Sequence, residues 1–435
     1  MQSITRSYRI LMAAIFLSFI LCGFACFADL ASDTVYLTWQ QSPTSTMTIQ
    51  WISGAEDNKT NLEYRAIDDN EWLIEKAIDI PIPRTNKYIL HRVELVNLNP
   101  DSNYLFKLSD KERLYKFRTM AADLDKPICF VVGGDMYHDD DGTKSMCHTC
   151  LQASKMDPCF ALLGGDIAYA VANSRSPEII ERWVEWVQAW NRTMISPDGK
   201  LIPVISAIGN HDILGHFDQT PSEAKVFSTL FPMPGAQVYN VLDFNKHISF
   251  IILDSGHANQ IEGSQTKWLK TTLQNRKDVT HKFAIYHVPA YPSFRSFDNR
   301  HSSAIRRNWV PIFEKEGVKM AFEHHDHAYK RTHPLWNNKV NPNGVVYMGD
   351  GAWSVDKPRS PFFNTMGKYF AKSLPSLNFI VVTIEKGKQS IVAYNQQGQK
   401  IDEYSRVLPS TIEKIKDVEK LDEKPVEAVT ARSRA

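Results

Sequence analysis

Between about Asp33 and Met120, apolar and polar residues alternate in short runs: TVYLTWQQ, TMTIQWIS, NLEYRAI, YILHRVELVNL, NYLFKLS and LYKFRTM, divided by Asn, Asp, Pro and Gly turns. Alternation with a period of two at this spacing predicts an all-β sandwich over residues 33–120. After the linker AADLDKP the pattern changes to short, fully apolar runs: ICFVVGGD, CFALLGGD, LIPVISAIGNHD, ISFIILDSG, KFAIYHVPAY, VKMAFEHHDH and GVVYMGDG. Such runs are what strands buried on both faces of a covered sheet look like. The segments between them, SPEIIERWVEWVQAWNRTM and SQTKWLKTTLQNR, carry apolar residues at helical spacing. This second part, 126–405, reads as α/β. The stripe Trp183, Trp186 and Trp190 reads as a helix face packed on the sheet rather than a ligand platform. Two last strand-like runs, LNFIVVTIEK and QSIVAYNQQGQ, finish the domain near Tyr404. Residues 406–435 are charged, mixed in sign and poor in aromatics, which predicts a solvated tail.

Length agrees with this division, since 435 residues exceed what one core usually holds. A net charge of +1 gives no electrostatic case for a nucleic-acid or membrane-surface partner. At the N-terminus Arg6 and Arg9 precede ILMAAIFLSFILCGFACFA, which ends small-x-small at Cys26 and Ala28. This pattern predicts a signal peptide, 1–28, and a secreted or periplasmic chain with no stable membrane insertion after cleavage. The apolar run is also long enough to span a bilayer, so an uncleaved anchor is the second reading. Lipidation at Cys22 or Cys26 is weaker, because neither follows a Leu-x-small pattern. Removal of 1–28 leaves Cys129, Cys147, Cys150 and Cys159, read as one or two disulfides stapling an irregular loop in preference to a zinc knuckle recruiting His148. Asn58 and Asn191 head N-x-Thr sequons.

The chemistry collects at the C-terminal ends of the apolar runs. In order they deliver Asp135, Asp166 with Tyr169 after it, Asn210 with His211, His287, and His325 with His327. Ligands of α/β sheets gather outside strand carboxyl ends, so these residues on five strands, seven of them potential ligands with His211 beside Asn210, could meet at one place. The lone His91 in the sandwich reads as a sheet-face residue. The acidic loop HDDDG, 138–142, lacks the ligand ladder of a calcium loop.

These motifs, GGDM, GGDIAY, GNHD, IYHVPAY and HHDH, resemble those of the metallophosphoesterases, and among them the purple acid phosphatases. GGDIAY, with its Tyr, is the diagnostic part. The leader adds to the resemblance, because HRVELVNLNPDSNYLFKL looks like the end of a fibronectin type III module with a Leu-x-Pro corner. The resemblance implies a fibronectin III-like sandwich followed by a domain of two central β-sheets flanked by helices, an α/β/β/α sandwich. It departs from the family where DMY removes a further His, leaving Tyr169 to fill that position, and where His324 replaces the Gly of G-H-x-H.

The implied function is hydrolysis of a small phosphomonoester by attack of a metal-bound hydroxide. Asp135, Tyr169 and His327 with Asp166 form a hard site for Fe(III); Asn210, His287 and His325 with Asp166 form a softer site for divalent Zn, Mn or Fe. His211 would bind the phosphoryl oxygen or protonate the leaving group, and Asp212 would orient His211 or a neighbouring ligand. Family histidines expected after YHVPAY are replaced by PSFRSFDNRH, where Arg295 is the candidate phosphate binder and His301 a weaker one. Asp326 should point away from the metals and His333 should be a loop residue, while the orientation of His324 stays open. A phosphodiester, nucleotide or phospholipid head-group substrate is the alternative for the same site, and an inactive extracellular binding protein is the third reading.

Overall fold

A computed structural model of the chain describes residues 34–56, 61–109, 111–138, 142–233, 238–349, 351–361 and 367–408. The expected signal peptide, Asn58, the acidic residues 139–141 and the tail from 409 lie outside the described residues. Among the described residues no helix is long and apolar enough to cross a membrane.

The N-terminal part is two antiparallel four-stranded sheets. One runs Tyr36–Thr38, Met47–Gly54, Tyr88–Leu95, Ile78–Pro81; the other runs Leu73–Lys76, Asn61–Ala66, Asn103–Leu108, Tyr115–Arg118. Trp39, Trp51, Leu62, Phe106 and Phe117 fill the space between them. The strands Leu73–Lys76 and Ile78–Pro81 carry no alternation signal because they are almost wholly exposed edge strands. At the Leu98-Asn99-Pro100 corner the Tyr104 hydroxyl accepts the Asn99 N–H at 2.9 Å, tying the chain back on itself. His91 is buried at a sheet face, stacked on Trp51 and hydrogen-bonded to Ser53 and Asp79.

The second part holds two larger sheets. The first has the order Val204–Ser206, Ala161–Leu163, Ile128–Gly133, Asn378–Glu385, Lys388–Asn395, Lys400–Val407, with its first three strands parallel. The second has the order Asn240–Phe244, Ile248–Ile252, His281–Ile285, Met320–Glu323, Val346–Gly349, Tyr329–Thr332, Phe370–Leu374. They pack face to face through phenylalanines: Phe130 stacks on Phe160 of its own sheet and meets Phe250 and Phe283 of the other edge-on, at 5.3 and 5.7 Å. The helices Gly142–Ser154 and Ile180–Thr193 cover the first sheet, and Ser264–Gln274, Arg300–Asn308 and Val310–Glu316 cover the second. The result is the expected α/β/β/α layering behind a β-rich leader.

Three sequence expectations change. The CHTC segment is helix, not irregular loop, and Cys129, Cys147, Cys150 and Cys159 are all free thiols. No Cys joins a metal-like cluster among the described residues, so the zinc knuckle is also absent there. The last strand runs to Val407, two residues into the expected tail. Asn191 is fully buried and donates to the Val35 carbonyl at 2.7 Å, so its sequon is closed to modification in the folded protein. The Trp stripe packs inward as expected, with Trp183 and Trp186 also meeting Phe231.

Behind the carboxyl ends of the second sheet lies a buried ion pair, Lys330 with Glu323, both side chains fully shielded. Glu323 also accepts from the Tyr286 hydroxyl and the Ala290 N–H, each at 2.7 Å, and Lys330 donates to the Tyr291 carbonyl. These bonds pin the segment that carries His287 to the strand that leads into His324. Removing one partner strands the other charge in the interior. Lys330→Met should therefore cost about 3–5 kcal/mol, read as a large fall in Tm, while Lys330→Met with Glu323→Gln should recover much of it.

Candidate metal centre

The strand ends of both sheets open onto one cleft edge. Ile128–Gly133, Ala161–Leu163 and Val204–Ser206 lead to Asp135, Asp166 and Asn210; His281–Ile285 and Met320–Glu323 lead to His287 and to His325 with His327. Five of the seven expected ligands have left-handed backbones: Asp135, Asp166, Tyr169, His325 and His327, with φ from 47° to 78°. Such residues cost roughly 1–3 kcal/mol each and persist only where the surroundings impose them, as at functional sites. The turns re-aim these side chains so that they meet.

They meet in two groups. Tyr169 Oη lies 3.2 Å from Asp135 Oδ1 and 3.1 Å from His327 Nε2, and His327 Nε2 lies 2.9 Å from the same carboxylate oxygen. On the other side, His287 Nε2 lies 3.1 Å from Asp166 Oδ2, 3.1 Å from Asn210 Oδ1 and 3.0 Å from His325 Nδ1. Asp135, Tyr169 and His327 thus stand together, as do Asn210, His287 and His325, while Asp166, expected to serve both groups, contacts the second.

The protons do not suffice for so many lone pairs. His287 Nδ1 sits 2.9 Å from the Gly164 carbonyl and must donate there, which leaves Nε2 as a lone pair facing a carboxylate, an amide oxygen and a second imidazole. The alternative is a doubly protonated ring. Burial opposes that form, yet Asp166 and Asp135 outweigh it and push His287 up to about 9. Burial, then Asp135 and Asp166, also raise the Tyr169 phenol well above its usual range, so it ionises only beside a strong cation. Buried carboxylates, imidazoles and a phenol collected this tightly are the donor set of a metal centre and fit a pair of cations better than they fit each other. Among the described residues, Asp166, His287 and His325 bring ligand atoms within 4.8 Å of one another, close enough to share a metal ion.

The surrounding residues resolve the other expectations. Asp212 is buried and accepts the N–H groups of Asp166, Ile167 and Gly209 at 2.7, 2.9 and 2.9 Å. It therefore positions the backbone of a neighbouring ligand and leaves the His211 ring alone. Of the two roles expected for it, only that one survives. His211 is half-buried, stacks on Tyr169 with ring centroids 4.2 Å apart, and points Nδ1 at the Val171 carbonyl at 2.7 Å, leaving Nε2 free. Asp326 turns away, accepting the Ser293 and Phe294 N–H groups at 2.7 and 2.9 Å. Arg295 is held at the edge of the cleft by Asp326 at 3.2 Å and the His325 carbonyl at 3.0 Å. His301 is set back from the centre behind Phe217, whose ring lies between it and His325. His333 is an exposed loop residue.

Three further histidines stand at the site without having been singled out. His138 places its ring 4.8 Å from Tyr169 and 5.4 Å from His327 and is paired to Asp356. His216 approaches His211 at 4.8 Å, and the buried His257 approaches His287 at 5.6 Å. His138 and His216 follow Asp135 and His211 by three and five residues and His257 directly follows ISFIILDSG, so closeness in sequence to the strand-end motifs was the available signal.

His324 is fully buried, and neither ring nitrogen has a hydrogen-bond partner. Burial pushes its pKa down to about 3, so the ring is neutral. It fills a slot between the two GGD turns: a Cβ on Gly164 would stand 1.7 Å from His324 Cδ2, and one on Gly134 would stand 2.8 Å from Nδ1. The ring thus packs under the turns instead of joining the ligands. Gly164→Ala should cost about 1–3 kcal/mol in the native chain and much less in a His324→Gly background, a coupling that a double-mutant cycle of unfolding free energies would measure.

Two facing sheets with carboxylates, imidazoles and a tyrosine at their strand ends define a metallophosphoesterase. Family comparison agrees: residues 110–329 match the model of the calcineurin-like phosphoesterases, and residues 32–119 match that of the purple acid phosphatase N-terminal domain. The chain belongs to the calcineurin-like phosphoesterases, a family of phosphoric ester hydrolases, as a purple acid phosphatase-like member. Among relatives, purple acid phosphatase 15 of Arabidopsis thaliana is 27% identical over 60% of this chain and 53% of its own length. Acid phosphatase type 7 of Mus musculus is 22% identical over 87% of this chain and 91% of its own. Against the first of these the chain spans only about half the relative's length. Among solved structures, a purple acid phosphatase from yellow lupin (Lupinus luteus) seeds superposes with a TM-score of 0.72 at 17% identity, covering 92% of this chain and 78% of that one. PhoD superposes with a TM-score of 0.62 at 11% identity, covering 85% and 91%. These two likenesses establish the fold.

Proposed function

We propose that the protein is an exported phosphatase that hydrolyses small phosphomonoesters at a centre of two metal ions. Asp135, Tyr169 and His327 would hold Fe(III), and Asn210, His287 and His325 would hold a divalent Zn, Mn or Fe, with Asp166 shared between them. The observation that carries this reading is the convergence of lone pairs on Asp166, whose Oδ2 is buried and lacks a hydrogen bond beyond the His287 contact. A tyrosine among hard oxygen donors favours a trivalent ion on its side, and the amide and two imidazoles favour a divalent one on the other. When bound, such a pair supplies Lewis acidity at the phosphoryl oxygens and a nucleophile at neutral pH. Export rests on the N-terminal charge and hydropathy pattern of residues 1–28.

The protein's own groups divide the remaining work. His211, anchored through Nδ1 to Val171 and braced by the Tyr169 ring, presents Nε2 to the cleft, where it can bind a phosphoryl oxygen or hand a proton to the departing alkoxide. Asp212 fixes the turn that aims Asp166. Arg295 places positive charge at the edge of the cleft.

Metal analysis and hydrolysis of p-nitrophenyl phosphate test the reading together. Purified protein should carry iron with a second metal and show a tyrosinate-to-Fe(III) visible band that Tyr169→Phe abolishes; full activity without metal would overturn the proposal. Asp212→Asn, by loosening the aim of Asp166, should lower metal affinity or activity roughly 10-fold to 100-fold. Faster cleavage of bis(p-nitrophenyl) phosphate than of the monoester would shift the assignment to a phosphodiesterase.

A further inference from the structure

His211 is held from two sides by a single residue. Its ring Nδ1 lies 2.7 Å from the Val171 carbonyl, and its backbone carbonyl accepts the Val171 N–H at 3.1 Å. His216 Nε2 approaches the same Val171 carbonyl at 3.4 Å. Val171 opens a loop that closes on itself: it pairs with Glu178 across an isolated antiparallel bridge, and the Ile179 N–H donates to the Ala170 carbonyl at 2.8 Å. Residues 172–175 of that loop are exposed, so its base has to be fixed from elsewhere. The Glu178 side chain, 1% exposed, does this, accepting Trp183 Nε1 on Oε1 at 3.1 Å. The cation that meets its Oε2 comes from the β-rich leader. Arg84, on the connection between strands Ile78–Pro81 and Tyr88–Leu95, places Nη1 2.7 Å from Glu178 Oε2 and Nη2 3.3 Å from both the Glu223 carboxylate and the Glu223 carbonyl.

Arg84 thus stands between two carboxylates that repel each other in its absence. Its own backbone is left-handed, with φ of 65°, a conformation that an arginine adopts at a cost and keeps only where its surroundings impose it. Burial raises the Glu178 carboxyl above its ordinary range, and the hydrogen bond from Trp183 and the charge of Arg84 oppose that rise. Without the guanidinium the Glu178 charge is stranded. The carboxylate then regains water only by turning outward, which draws on the backbone that pairs with Val171. The neighbouring pair of Lys87 with Glu181 is exposed and adds little to the joint. One side chain of the leader therefore sits two residues away, through Glu178 and Val171, from the imidazole at the cleft.

We propose that Arg84 is a positioning residue for His211, so that the leader sets the aim of the group that hands a proton to the departing alkoxide. This rests on the phosphatase reading above and gives the leader a part in the reaction. No proton travels along the linkage: Arg84, Glu178 and the Val171 backbone only hold the ring so that Nε2 meets the leaving oxygen.

The test compares the metal-loaded protein on two esters of similar shape: p-nitrophenyl phosphate, whose leaving group departs readily without a proton, and phenyl phosphate, whose leaving group needs one. Arg84→Met should lower kcat on phenyl phosphate roughly 10-fold and on p-nitrophenyl phosphate much less, with KM and metal content unchanged. Arg84→Lys, which keeps the charge but loses the fork, should fall between. Adding Glu178→Gln to Arg84→Met removes the stranded charge and should return most of the loss, which a general loosening of the leader would not allow. His211→Ala should show the same selectivity on a larger scale, and Arg84→Met should add nothing to it. Equal slowing of both esters, no slowing of either, or slowing that adds to that of His211→Ala overturns the linkage. His211→Ala without selectivity overturns the acid role on which the proposal rests. Deuterium exchange over residues 170–179 needs no turnover. Faster exchange there in Arg84→Met, reversed by Glu178→Gln, supports the linkage even if the phosphatase reading fails, and unchanged exchange overturns the linkage alone.

Discussion

Two buried carboxylates, Asp135 and Asp166, govern the rest of the molecule's functional end. A carboxylate with no access to water is tolerable only if positive charge or several donors compensate it. Here the compensation is built from both sheets at once. Asp166 Oδ1 accepts the His211 N–H at 2.7 Å and Asp135 Oδ2 accepts the His325 N–H at 3.0 Å, so each acid organises the backbone of another residue of the site. His287 leans on Asp166, and Tyr169 and His327 on Asp135. Cations at the centre would complete a balance that the polypeptide leaves open.

This constraint explains why strain collects where it does. Five left-handed residues at the ligand turns would be destabilising in isolation. They are held by rigid strands on one side and by buried acceptors on the other: Asp212 beneath the Asp166 turn and Asp326 beneath the loop after Tyr291. The Lys330–Glu323 pair does the same for the His287 segment. The β-rich leader supports the centre from farther away. Tyr36 and Gln50 hydrogen-bond the Leu230 carbonyl and Arg92 hydrogen-bonds the Thr229 carbonyl, joining the sandwich to the layer of helices over the first sheet.

Much of this was legible along the chain, for identifiable reasons. Strands buried on both faces must be uniformly apolar, so the runs ending in GGD, GGD, GNH, YH and HHDH declared both the sheets and the residues leaving them. The two exposed edge strands of the sandwich were invisible because nothing on them alternates between core and solvent. The cysteines misled because an export pattern favours disulfides, whereas Cys147 and Cys150 lie on one helix and Cys150 is buried as a small apolar side chain.

The dense histidine stretch separates the two levels of information. Order and spacing along the chain sufficed to expect His325 and His327 on one side and Asp326 on the other, because alternate residues leaving a strand share a face. Only the folded chain could place His324, because its slot is formed by Gly134 and Gly164, about 190 and 160 residues distant in sequence. The same holds for the meeting of His138 with His327 and of His257 with His287, which packing between distant elements brings about, and local periodicity carries no record of such contacts.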